Sequence, residues 1–80
     1  MEELRRQLRA MLARQIELPE AQIADDLDVI DALGADSLDM VEFLTAVEER
    51  YGVHVSDEEA LEWKTVDAMT ADLSKRGVKA

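Results

Sequence analysis

The sequence predicts an all-α fold: a small four-helix bundle, with three main helices plus a short third one, and a long loop between helices one and two. Three observations carry this. Apolar residues recur at helical spacing in three stretches, residues 4–16, 38–51 and 66–73. Asp36, Ser56 and Thr65, all good helix starters, stand just before the second, third and fourth helical stretches. The only alternating stretch, Val53-His54-Val55, is too short to make a sheet without partners.

The first helix is expected over residues 3–16. Leu4, Leu8, Met11, Leu12 and Ile16 form one stripe, and Arg5, Arg6, Arg9 and Arg14 lie off it. Glu2 and Glu3 near its start suit the helix dipole. Residues 18–33 form the long connection. Pro19 breaks the first helix or opens a short helical turn. Leu18, Ile23, Leu27, Val29, Ile30 and Leu33 are spaced to tuck into a core, and a loop of this length is uncommon unless it has a task.

Gly34 supplies backbone angles for a tight turn, and Asp36 caps the helix that follows, with Asp39 in the capping-box position. The second helix is expected over residues 37–51. Its rows Leu38, Val41, Leu44, Val47 and Met40, Phe43, Val47, Tyr51 make a wide apolar face, so it is expected to be the most buried helix, stopped by Gly52. Ser56 and Glu59 form a second capping box, opening a short helix that ends near Trp63. Thr65 caps the last helix, whose inner face is Val66, Met69 and Leu73. Gly77 ends it, and residues 78–80 are expected to fray.

The length, 80 residues, suits a single domain spanning residues 1–80, and the absence of cysteine leaves the apolar core to hold it without disulfides. No apolar run is long enough to span a membrane, and the N-terminus reads as an amphipathic helix rather than a signal peptide. A cytoplasmic monomer is the expectation. The formal net charge is −10, and it is unevenly placed. Residues 15–63 hold fifteen acids and one arginine, whereas both ends are slightly basic. Such a surface argues against nucleic acid and for basic patches on other proteins as partners.

The stretch Leu33-Gly34-Ala35-Asp36-Ser37-Leu38-Asp39-Met40-Val41-Glu42 organises the chain. It places Ser37 at the first position of a helix, exposed, where the positive end of the dipole favours a phosphate. A nucleophilic role for Ser37 lacks a base, since His54 is the single histidine and GADSL lacks the second glycine of a nucleophile elbow. A calcium loop starting at Asp26 also fails: Ile30, Asp31 and Ser37 stand where an oxygen ligand, a glycine and a glutamate are needed. No metal site is expected. The acids Asp36, Asp39 and Glu42, with Glu48, Glu49, Asp57, Glu58 and Glu59 nearby, form an acidic strip that is either a solvated face or a recognition surface.

LGADSLDMVE resembles the prosthetic-group attachment motif of acyl carrier proteins. FLTAVEERYGVHVSDEEA and KTVDAMTADL look like that family's second helix with its following loop and its last helix. The resemblance implies 4′-phosphopantetheine, taken from coenzyme A, on Ser37, and a carrier of growing acyl chains in fatty-acid or related biosynthesis, not an enzyme. It implies a phosphopantetheinyl transferase and acyl-transfer and condensing enzymes with basic docking patches as partners. It implies recognition through Asp36, Asp39, Glu42, Glu48 and Glu49, and a bundle interior, with fillers such as Ala46, Val47 and Met69, that opens to shelter a chain. A dedicated carrier for a polyketide, an amino acid or D-alanine is the alternative, and a non-covalent acidic adaptor is a third reading. Ala32, Val29, Ser56 and Arg50 depart from the family's habits, and so does Trp63, whose surroundings EWKT resemble the D-alanyl carrier branch. Apart from that resemblance, Trp63 and the apolar residues flanking the motif read as core.

Overall fold

A computed structural model describes residues 1–79. It contains α1 (Glu2–Ile16), α2 (Ser37–Tyr51), α3 (Asp57–Ala60) and α4 (Val66–Lys75), with a 3-10 turn at Glu20–Gln22 and no strand among the described residues. The helix starts follow the capping chemistry. Asp36 and Asp39 form one reciprocal capping box, Ser56 and Glu59 another, and the Thr65 hydroxyl accepts from the Ala68 amide. α3 is one turn long. Three further i→i+3 bonds, from Leu61, Glu62 and Trp63, continue the coil to Trp63 without completing a longer helix.

α1 packs against both α2 and α4. Leu4, Leu8, Leu12 and Ala13 of α1 meet Phe43 and Val47 of α2 and Val66, Met69 and Leu73 of α4 in one core cluster, which Ile23, Val29, Val55 and Trp63 complete. Burying each of the larger of these side chains contributes about 1.5–3 kcal/mol. Thr70 is buried too, its hydroxyl donating to the Val66 carbonyl one turn back.

Five expectations change. α2 is not the most buried helix: only Phe43 and Val47 are fully buried on it, against four residues each on α1 and α4. α3 is too short to cover the outer row of α2, so Leu38 and Val41 face solvent. In the long loop Ile23 and Val29 enter the core and Leu18 and Leu33 lie half-buried, but Leu27 and Ile30 are exposed. Ala46, expected as an interior filler, is exposed on the far side of α2. Val78 does not fray. Gly77, in the left-handed region, turns the chain so that the Val78 amide donates to the Leu73 carbonyl and Val78 packs on the core; Ala80 lies outside the described residues.

The loop is fastened rather than loose. Arg5 and Arg9, off the apolar stripe of α1, both pair with the Asp25 carboxylate, and Arg5 also donates to Asp67 of α4. The Asp25 carbonyl accepts from the Asp67 amide at 3.0 Å, and the Val29 amide donates to the Lys64 carbonyl at 2.8 Å. Asp25 thus joins α1, the loop and α4. Asp25→Ala is expected to cost about 1–3 kcal/mol, the worth of charge-assisted bonds at a half-buried position, read as a lower urea midpoint with unchanged helical content.

Candidate functional site at the start of helix two

The site is built by the end of the loop. The Asp28 carboxylate accepts from the amides of Ile30 and Asp31 at 2.9 and 2.8 Å and starts one helical turn. The Ala32 and Leu33 amides bond back to the Asp28 carbonyl. Gly34, at φ +79°, closes that turn through its amide to the Ile30 carbonyl and redirects the chain. Ala35 then points into the protein, buried, and its amide donates to the Val29 carbonyl. Asp36 is extended, and its Oδ1 accepts from the Asp39 amide at 2.8 Å while Asp39 Oδ2 accepts from the Asp36 amide at 3.2 Å.

Ser37 follows at the first helical position and is exposed. The capping box occupies the amides of Asp36 and Asp39, which leaves those of Ser37 and Leu38, at the positive end of a fifteen-residue helix, without a hydrogen-bond partner among the described residues. Ser37 also stands on the rim of a groove of about 420 Å3. Ile30, Met40, Val41, Leu44, Ala60, Leu61 and Trp63 make its apolar lining, Asp28, Asp31 and Asp57 lie at its edges, and Lys64 is the one cation among the lining residues. Around it the apolar surface is unusually bare. Leu38 is 64% exposed, Val41 59%, Ile30 52% and Leu61 70%. The spacing of Leu38, Val41 and Ile30 predicts core, and the sequence signal against it is the shortness of the helix that would have to cover them.

The acidic residues divide by use. Asp36 and Asp39 hold the helix start and remain at the surface. Glu42 is exposed and accepts only from the Gln15 side chain, and Glu49 is exposed. Glu48 accepts from the Val55 amide at 2.7 Å and lies 3.1 Å from His54 Nδ1, so it fastens the chain beyond α2. The Ser56 backbone amide and hydroxyl, helped by the Arg76 guanidinium, hold the Glu59 carboxyl below the usual carboxylate range. Asp57 and Glu58 are exposed on α3. Arg50 is exposed, its guanidinium 5.6 Å from the centre of the Tyr51 ring. His54 follows the far end of α2, about 20 Å from Ser37 at 1.5 Å per residue, too far to act on the Ser37 hydroxyl.

The family profile described as "phosphopantetheine attachment site" matches residues 6–73. The chain belongs to the phosphopantetheine-attachment family. Its backbone superposes on a solution structure designated an acyl carrier protein from Anaplasma phagocytophilum, at 26% identity and a TM-score of 0.88, covering 99% of this chain and 93% of that one. It also matches the acyl carrier protein from Enterococcus faecalis, at 28% identity and a TM-score of 0.78, covering 92% and 94%. No curated protein sequence matches it significantly. The family and these relatives make the chain a carrier, not a catalyst, and the group it takes is covalent 4′-phosphopantetheine. The α2 N-terminus fits that group: a solvent-facing hydroxyl, two open amides and Lys64 suit a phosphodiester, and the apolar groove suits what the arm carries.

The turn is a backbone requirement, not a packing one. A Cβ added at Gly34 meets nothing within 4 Å, but φ there is left-handed. Gly34→Ala is expected to cost about 1 kcal/mol and Gly34→Asn less, because asparagine tolerates this region; thermal denaturation of both variants reads the order.

Proposed function

We propose that this carrier bears 4′-phosphopantetheine on Ser37 Oγ and moves acyl groups, as thioesters of the arm's terminal thiol, between enzymes of fatty-acid biosynthesis. The observation that carries the reading is the exposed serine at a capped helix start, on the rim of an apolar groove, inside the family match. The chain offers Ser37 no base, so the transferase must accept its proton. The chain's part is to hold the hydroxyl on a rigid junction and to stabilise the resulting phosphodiester with the dipole of α2. A dedicated carrier for a polyketide, an amino acid or D-alanine is the competing reading, and the bulk of Trp63 in the groove wall is the observation on its side. Loading assays with acyl and aminoacyl ligases separate the two.

Recognition would combine the bare apolar residues Leu38 and Val41 with the acids Asp36, Asp39 and Glu42 near them and Glu49 farther along α2. Apolar contact supplies affinity and the acids steer a basic partner, the division seen where a desolvated centre has a charged rim. Glu48 would contribute through the field more than through contact, since its carboxylate is engaged by Val55. Asp36, Leu38 and Asp39 adjoin the serine, with Val41 and Glu42 one turn on and Glu49 toward the far end of α2, so a docked enzyme would hold the arm's root close to its own active site.

Two outcomes are expected. Incubation with coenzyme A and a broad-specificity phosphopantetheinyl transferase adds the mass of one arm to the wild type and nothing to Ser37→Ala; an arm on the variant would remove Ser37 from its role. Glu42→Lys, which disturbs only a surface contact to Gln15, leaves stability within about 0.5 kcal/mol but slows loading and flattens its dependence on salt. Unmoved rates and salt response would make Glu42 a solvated residue.

A further inference from the structure

Trp63 is the one residue that lines both the groove at Ser37 and a second groove, of about 360 Å3, between α3 and α4. Trp63 thus stands where the two grooves adjoin. The indole is 2% exposed, and it is large and rigid. It is also fastened. Its Nε1–H donates to Asp72 Oδ2 at 2.7 Å, and that same oxygen accepts from Arg76 Nε and Nη2, both at 3.2 Å. Arg76 in turn donates to the His54 carbonyl at 2.8 Å and to Glu59 Oε2 at 2.6 Å. An aliphatic side chain in this place would have only packing to hold it. The indole has a charge-assisted network reaching from α4 to α3 and to the segment before it.

The consequence concerns length. A chain attached through Ser37 enters the first groove at its rim, passes the apolar residues of α2 and α3, and meets the indole. With Trp63 clamped, the two grooves stay separate. We infer that Trp63 is the residue that determines how long an acyl chain this carrier shelters, with Asp72 and Arg76 as the positioning residues that hold the indole in place. Short and medium chains lie within the groove. A longer chain leaves it, and its end stands in solvent. The inference rests on the reading that Ser37 bears the arm.

Trp63 is the only tryptophan of the chain, so its emission reports this place alone. The arm is loaded with a series of acyl chains of increasing length, each ending in bromine, which quenches indole emission on contact. In the wild type, emission is expected to fall as the chain end reaches the indole and to recover for longer chains. In Asp72→Ala, and independently in Arg76→Gln, the length of maximal quenching is expected to shift to longer chains, because the released indole lets the grooves join. Intact mass confirms loading at each length. Loaded protein whose emission is the same at every length overturns the inference, and so does an unmoved length profile in a variant that keeps its helical spectrum. Failure to load at all counts against the carrier reading at Ser37 instead.

Discussion

The contact on which the rest depends is the one made by Asp25. Its carboxylate receives Arg9 and Arg5 from α1, and its carbonyl receives the Asp67 amide at the start of α4. Between α1 and α2 the chain has no helix longer than the 3-10 turn at Glu20–Gln22, so its course would be free without such ties. Together with the bond from the Val29 amide to the Lys64 carbonyl, Asp25 fixes where the Asp28 turn sits. The turn fixes Gly34, Gly34 sets Ala35 inward, and the capped helix then presents Ser37 outward. An ion pair far from the serine therefore governs the serine's position. Surface ion pairs alone contribute little, but these are half-buried and reinforced by backbone bonds.

The same ties explain the surface. The arginines of α1 that face the loop are spent on internal pairs: Arg5 and Arg9 on Asp25 and Asp67, Arg6 on Glu3. The acids near Ser37 have few cationic partners, so the negative charge of the middle of the chain is expressed there. Inside that acidic field lie the four bare apolar residues. A monomeric surface seldom leaves such a cluster open without a use, and here the cluster and the serine share one rim. Trp63 belongs both to the core and to the wall of the groove. One side chain thus contributes to both core packing and the groove wall.

Much of this was legible in the sequence. The caps at Asp36, Ser56 and Thr65 were, because capping depends on residues three apart. So were Gly34 and Gly52, because a left-handed turn selects glycine. α1 instead turns at Glu17, which takes a left-handed conformation with a side chain in place; nothing in its residue type announced that. The wide apolar face of α2 misled, since periodicity says which residues share a face and not whether a neighbour covers it. The capping-box use of Glu59 was legible, whereas the use of Glu48 was hidden. An acid that accepts a backbone amide from seven residues away looks, in sequence, like one that faces a partner.

By itself the sequence determined the helices, their starts, the turn before Ser37 and the exposed place of that serine, together with a family resemblance that the comparison with known folds supports. All of these follow from interactions within a few residues along the chain. The tertiary structure alone decided that Leu38, Val41, Ile30 and Leu61 stay bare, that Asp25 anchors the loop, and that Trp63, bonded to Asp72, lines two grooves. Those outcomes depend on which surfaces meet across large separations in sequence, and no local pattern of residues encodes a meeting between elements.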